Sequence, residues 1–373
     1  MTDPPVPVTL GGVLTTLDAL GPASSSDWSG RPVAGNDIVT RYPEDLQLLA
    51  DLGVSAVRLP LDWARLQPIP GRIDDDWREW YESFFTHASR CGISVWATLF
   101  ETTVPKWFDD EGSFADERAA GRAWPRWVET AAELFGDGVA GWFPLVDPVG
   151  LACRWQGDPR RFETALVNVA TAWRDAWRIL RGGPPVATAL AVHLPRPADQ
   201  TVRAAQAARL EDHLRWTMWL RSFRDGVVRL PGGATRAVPD LGASLDWLGL
   251  VISLDLPDQS LSDEALRRWY ERLGTMVRRA AEEGPDRPLC LAGLDVQWSH
   301  ADERRLIVET TVDSLQQALT DGVPITSVFV DPAIDATDRR HAALVDRDRN
   351  PAHDCTVWRT LTRHASPEVT DQQ

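Results

Sequence analysis

Leu52-Gly53-Val54-Ser55-Ala56-Val57-Arg58-Leu59-Pro60-Leu61-Asp62-Trp63-Ala64-Arg65 places a helix end, a stop and a buried strand directly after one another. Residues 42–52 upstream carry apolar side chains at helical spacing. Gly53 stands where a helix commonly ends on a left-handed residue. The run 56–60 that follows is short, apolar and of strand length. The same punctuation returns at Gly92 and Gly322. Working outward, strand-like runs fall at 10–15, 56–60, 94–99, 141–145, 187–193, 247–252, 289–294 and 327–330. Helical patterns occupy 42–52, 76–91, 124–135, 162–180, 204–223, 263–283 and 302–319. Such an alternation predicts the α/β class and a closed parallel (β/α)8 barrel rather than an open sheet. The barrel is expected to take up residues 1–373 as a single domain. Residues 354–364 should form a closing helix on its exterior, and about 366–373 a frayed tail.

Bulk properties exclude more than they assign. With 39 basic against 54 acidic residues the net charge is −15, which disfavours nucleic acid and anionic membrane as partners and favours cationic ligands. The start, Met-Thr-Asp-Pro-Pro-Val-Pro-Val, shows no basic stretch leading into an apolar one, and no apolar run reaches about 18 residues. A soluble, cytoplasmic protein is the expectation. Cys91, Cys153, Cys290 and Cys355 lack C-x-x-C spacing, which predicts four buried thiols rather than a zinc or redox site. Lys106 is the single lysine among many arginines, a bias like that of high-GC bacterial genes.

Several segments resemble the strand-end motifs of family 1 glycoside hydrolases, the β-glucosidase family. Arg41-Tyr42-Pro43-Glu44-Asp45 is similar to H-R-Y-x-E-D, and the stretch 52–65 to L-G-x-x-A-Y-R-F-S-I-S-W-x-R. The segment 97–105 resembles V-T-L-Y-H-W-D-L-P, 246–250 resembles D-F-(I/L)-G-(L/I), and 321–335 resembles D-G-V-x-V-x-G-Y-F-x-W-S-L-L-D. Trp142-Phe143-Pro144-Leu145-Val146-Asp147-Pro148 is similar to W-I-T-L-N-E-P, and 288–295 to P-(I/L)-Y-I-T-E-N-G. The resemblance implies the barrel fold. It also implies that Asp147 replaces the family's acid/base Glu and Gly293 its nucleophile.

Retaining glycosidases use two carboxyl groups about 5 Å apart. Gly293 offers none, and Asp147 is one methylene shorter than Glu, a recession of roughly 1.5 Å. By the same resemblance the sugar-holding residues are exchanged for Ala19, Glu101, Thr102, Val146, Val251, Ser253, Asp331, Asp338 and Arg339, whereas Arg58 is kept. The chain is also shorter than family members near 23–34 and 255–262, loops that would shape the pocket.

Glu101, Asp147, Asp295 and Asp331 fall at or just beyond strand C-termini, where barrel side chains converge, and Asp338 follows in the next loop. Clustered carboxylates repel, so one is expected to hold a proton as a general acid unless a cation neutralises them. The first reading is a repurposed small-molecule enzyme. In it Asp147 and Glu101 form the acid/base pair, and Arg58, His193, Asp295, Asp331, Asp338 and Trp298 bind a cationic or glycoside-like substrate. The reaction would be an isomerisation, cyclisation, elimination or hydrolysis, in keeping with specialised-metabolite biosynthesis. Against it stands pairing of these acids with Arg58, Arg154 or Arg339. No cofactor is expected, and the absence of E-x-x-H or H-x-H spacing around His193 argues against a metal. A second reading is a non-catalytic ligand-binding or scaffold protein. A third is an inverting O-glycosidase whose water sits in a gap of about 6.5–9.5 Å. Trp155, Trp216 and Trp219 either flank the site or fill the core.

Overall fold

The computed structural model of the chain describes residues 8–14, 36–255, 262–297, 303–335 and 342–363. Its strands are β1 (Thr9–Val13), β2 (Ala56–Pro60), β3 (Ser94–Thr98), β4 (Gly141–Phe143), β5 (Leu190–Val192), β6 (Val227–Arg229), β7 (Thr235–Ala237), β8 (Leu248–Asp255), β9 (Leu289–Gln297) and β10 (Ile325–Asp331). Eight of them form one parallel sheet in the order β4-β3-β2-β1-β10-β9-β8-β5. Parallel bridges Trp142–Val186 and Val146–Ala189 lay the segment entering β5 against β4 and close the ring. Every residue of β2 is buried, as a strand must be when one face meets the barrel interior and the other a layer of helices.

Local chemistry explains the helix boundaries. Helix Ile38–Asp51 ends at Gly53, whose φ of 86° lets its N–H reach Ala50 O at 2.8 Å and the next N–H, of Val54, reach Leu49 O at 3.0 Å. The glycines at 92 and 322 close their helices by the same pair of bonds. The first helix begins earlier than its apolar pattern suggests, because Pro43 lies inside it. A proline cannot donate to the carbonyl four residues back; Trp80 Nε1 binds that carbonyl, of Val39, at 2.7 Å instead.

Inside the barrel, Trp96, Phe143, Trp247 and Phe329 form an aromatic plug. Ring centroids lie 4.8 Å apart for Trp96–Trp247 and 5.3 Å for Trp96–Phe143. Small residues, among them Ala56, Ala187, Ala189, Cys290 and Ala292, complete this layer. Beyond it toward the strand C-termini the interior turns polar.

The structure departs from the sequence expectations in several places. The stretch 204–223 is not one regular helix: helix Val202–Asp212 passes into a π-turn, His213–Thr217, before helix Met218–Asp225 resumes. The antiparallel hairpin β6–β7 was not anticipated. Strand β9 runs to Gln297, which places Asp295 within the strand. Only Cys290 and Cys355 are fully buried; Cys91 and Cys153 are partly exposed. The closing segment is a short helix, Cys355–Trp358, continued by a tighter turn, Arg359–Arg363. Trp216 and Trp219 are core residues, and Trp155 is a half-buried one packed against the core. The expected tail, the shortened loops near 23–34 and 255–262, Ala19, Trp298, Asp338 and Arg339 lie outside the described residues, apart from Asp255 and Ser262 at the edges of the second loop.

Candidate functional site

Arg58 is the hub of the polar layer. It shares the inward face of β2 with Ala56, and its side chain is 2% exposed. Burying a guanidinium is costly unless its donors are matched. Nη1 donates to Ala292 O at 2.6 Å, and Nη2 donates to Glu101 Oε1 at 2.9 Å and stands 3.9 Å from Asp331 Oδ2. Glu101 reaches this point because the chain beyond β3 stays bonded to the chain beyond β4, through Phe100 N–H to Pro144 O and Val146 N–H to Phe100 O. One buried cation thus gathers two of the predicted carboxylates.

Gly293 forms the wall opposite. The pairing of β9 with β8 and β10 shifts register around it, so that Leu291 pairs with Val328 and Leu250, while Leu294 pairs with Val330 and Gly293 with Val251. A Cβ at 293 would lie 3.0 Å from Asp331 Oδ2, 3.3 Å from Arg58 Nη1 and 3.5 Å from Val251 Cγ1. A side chain here requires Asp331 or Arg58 to give way by a few tenths of an ångström. Asp295, two residues on, pairs with Ser253 and Asp331 across the sheet, and Ser253 Oγ donates to its Oδ2 at 3.2 Å. Thr98, on the face of β3 shared with Trp96, is 1% exposed, and its Oγ1 is unpartnered among the described residues.

Asp147 belongs to a second group. It follows β4 with a φ of 45°, a left-handed backbone that a non-glycine residue adopts at a cost of about 1–2 kcal/mol. That conformation turns its carboxylate back over helix Pro148–Cys153, where Oδ1 accepts the Gly150 N–H at 3.0 Å. The same oxygen accepts Arg215 Nη1 at 2.5 Å. Arg215 sits in the π-turn, and its Nε donates to Glu211 Oε1 at 3.0 Å. His193, just beyond β5, places Nε2 3.6 Å from that Glu211 oxygen. Burial opposes the charge on Arg215, but Asp147 and Glu211 outweigh it and raise its pKa. Burial lowers the pKa of His193, with Arg215 and Arg272 acting in the same sense and Glu211 and Asp147 against it. Burial likewise raises the Cys153 thiol beside this group, keeping it protonated near neutrality.

The predicted ring of free acids is therefore corrected. Glu101 and Asp331 share Arg58, and Asp147 is held by Arg215, a residue the sequence reading did not select. Arg154, one of the expected partners, pairs with Asp109 instead. Glu211 and Arg215 were visible only as an i,i+4 pair of the kind usual on helix surfaces. Among the described residues the five carboxylates Glu101, Asp147, Glu211, Asp295 and Asp331 still outnumber the guanidiniums of Arg58, Arg215 and Arg272, so the mouth remains acidic. Among the described residues no group of three or more His, Cys, Asp or Glu side chains is arranged to hold a metal ion, and no helix is long and apolar enough to cross a membrane.

Residues 20–154 match the sequence model of glycosyl hydrolase family 1. Beta-glucosidase 34 of Oryza sativa subsp. japonica is 28% identical over 123 residues, covering 33% of this chain and 24% of that protein. The 6-phospho-beta-glucosidase GmuD of Bacillus subtilis (strain 168) is 26% identical over 134 residues, covering 36% and 26%. The chain thus spans about a quarter of the length of these curated relatives. The family 1 β-glucosidase from Thermotoga maritima superposes with a TM-score of 0.78 at 17% identity, covering 98% of this chain and 100% of that one. The GH1 β-glucosidase from Exiguobacterium antarcticum B7 gives 0.79 at 15%, covering 98% of each. At such identities the superpositions establish a shared fold. The Thermotoga protein is also seen in complex with glucoimidazole and with deoxynojirimycin.

Proposed function

We propose that this family 1-like barrel is a small-molecule enzyme whose mouth binds a glycoside-like or basic ligand and acts on it by proton transfer, without a covalent intermediate at residue 293. The observation that carries this reading is the packing around Gly293. A Cβ there would stand 3.0 Å from Asp331 Oδ2 and 3.3 Å from Arg58 Nη1, so any side chain at 293 requires one of them to shift. A buried cation with two carboxylates at the strand C-termini is a costly arrangement for stability alone, and barrels concentrate their reactive groups at this end. Glu101, Asp331 and Asp295 on one side, and Asp147, His193 and Glu211 on the other, supply the acceptors for a ligand bearing hydroxyls and an amine. The substrate would undergo isomerisation, cyclisation, elimination or hydrolysis, each needing one proton removed and one supplied.

A thermal-shift titration with deoxynojirimycin, an amine-bearing sugar mimic, against neutral glucose tests the site. Binding at a concentration of about 100 Kd stabilises by about 2.7 kcal/mol. The amine is expected to raise Tm more than glucose does, and Asp331→Asn to abolish the difference. Equal shifts, or no shift with either compound, would overturn the reading. The engagement of Asp147 by Arg215 and of Glu101 by Arg58 favours a second reading, ligand binding without turnover; a product detected by mass spectrometry from any bound glycoside or amine rejects it.

A further inference from the structure

We propose that His193 is the proton-accepting side chain of the barrel mouth and that Glu211 is the residue that positions it; the proposal rests on the mouth being a reacting site. A proton acceptor needs a lone pair that is not already engaged and that a ligand can reach. The two carboxylates at the centre of the site each hold an arginine, so a proton gained by either weakens an ion pair. Asp147 Oδ1 accepts both the Gly150 N–H and Arg215, so a proton on that oxygen would displace both. Glu101 Oε1 accepts from the buried Arg58.

His193 meets both conditions. Its side chain is 42% exposed at the C-terminal end of β5, and its Nε2 faces Glu211 across 3.6 Å. Nδ1 has no hydrogen-bond partner among the described residues. The backbone beneath the ring is fixed, because the indole N–H of the buried Trp216 donates to His193 O at 2.7 Å. Trp216 is in turn covered by Arg279, whose Cζ lies 4.7 Å from the ring centroid and whose Nη2 binds Asp212 at 2.9 Å.

The π-turn creates this arrangement. One extra residue per turn at His213–Thr217 carries Arg215 inward to Asp147 while leaving its Nε on Glu211. Such turns inside α-helices recur at functional sites. Charges then alternate along Asp147, Arg215, Glu211 and His193. The charged groups acting on the imidazole are Glu211 and Arg215 from the helix after β5, Arg272 from helix Asp263–Glu283, and Asp147 from the segment after β4. Burial together with the two arginines keeps the ring neutral near pH 7 and ready to accept. In the step, an O–H or N–H of the ligand, or a water attacking it, loses its proton to Nδ1. The imidazolium formed is stabilised by the Glu211 carboxylate, and the proton leaves to the departing group or to solvent.

The test uses p-nitrophenyl acetate as a probe for a reachable basic imidazole. The neutral imidazole attacks the acetyl carbon through Nδ1, nitrophenolate leaves with the bonding pair, and water then cleaves the acetyl-imidazole to acetate and free His193. His193→Gln is expected to lower the rate at least tenfold and remove its pH midpoint. The pH midpoint of the folded full-length protein should fall in Glu211→Gln and rise in Arg272→Gln, opposite shifts that a purely structural role would not produce. A rate and midpoint unchanged in His193→Gln overturn the proposal. Deoxynojirimycin separates the two readings. If it binds while His193→Gln keeps full rate, the inference falls and the site stands. If it neither binds nor protects while His193→Gln loses the rate, the basic imidazole is upheld and the ligand assignment fails.

Discussion

Restoring a side chain at position 293 should damage the site rather than repair it. In Gly293→Ala the new Cβ would stand 3.0 Å from Asp331 Oδ2 and 3.3 Å from Arg58 Nη1, closer than ordinary contact. Arg58 has little room to yield. It is buried, and its guanidinium is fixed to Ala292 O at 2.6 Å and Glu101 at 2.9 Å. Asp331 must therefore move. Overpacking of this kind costs about 1–3 kcal/mol. Gly293→Glu adds a third carboxylate to one guanidinium and displaces a partner of a buried charge, a loss of about 3–5 kcal/mol. Urea denaturation of the two variants and of Asp331→Ala measures these values. Because the strain lies between 293 and 331, Gly293→Ala combined with Asp331→Ala should be more stable than the sum of the single changes by about 0.5–3 kcal/mol. Strict additivity, or a Gly293→Glu variant of full stability that cleaves nitrophenyl glucoside, would refute the reasoning.

Two further outcomes follow from the same geometry. Arg58→Met leaves the largely buried Glu101 without its cation and should cost about 3–5 kcal/mol, whereas Glu101→Gln keeps an acceptor for Nη2 and should cost about 1–3 kcal/mol, both read from urea midpoints. The lowered pKa of His193 contributes stability that is fully present above the ordinary imidazole value of about 6.5 and is lost as pH falls through the lower folded value. Tm measured from pH 7 downward should therefore decline more steeply in the native chain than in His193→Gln.

The barrel was legible because its signals are local. Gly53 stops its helix by a left-handed turn that a side chain disfavours, and Ala56–Pro60, apolar but for Arg58, suits a strand buried on both faces. Arg58 stood out as a charge inside such a strand. Its partners were partly legible: strand ends named Glu101 and Asp331, but not that one guanidinium would hold both. Arg215 was legible only as the i,i+4 partner of Glu211, since the apolar spacing of 204–223 does not announce the π-turn at His213–Thr217. The hairpin β6–β7 escaped for another reason: its strands are three residues long, β6 buries only its central Val228, and β7 is exposed throughout.

The two arginines divide the mouth into halves with different capacities for chemistry. Arg58 is buried beneath its carboxylates, so a ligand reaching Glu101 or Asp331 meets a preformed ion pair whose charge is fixed and whose geometry resists change. Arg215 lies higher, between half-exposed groups, and its carboxylate partner Glu211 also faces an imidazole that can gain and lose a proton. Under the proposed function, orientation and charge recognition would fall to the Arg58 side, and proton movement to the Arg215 side. If the proposal holds, a barrel whose residue 293 offers no nucleophile would turn its ligand over with this division alone: a rigid electrostatic seat and a neighbouring group that titrates.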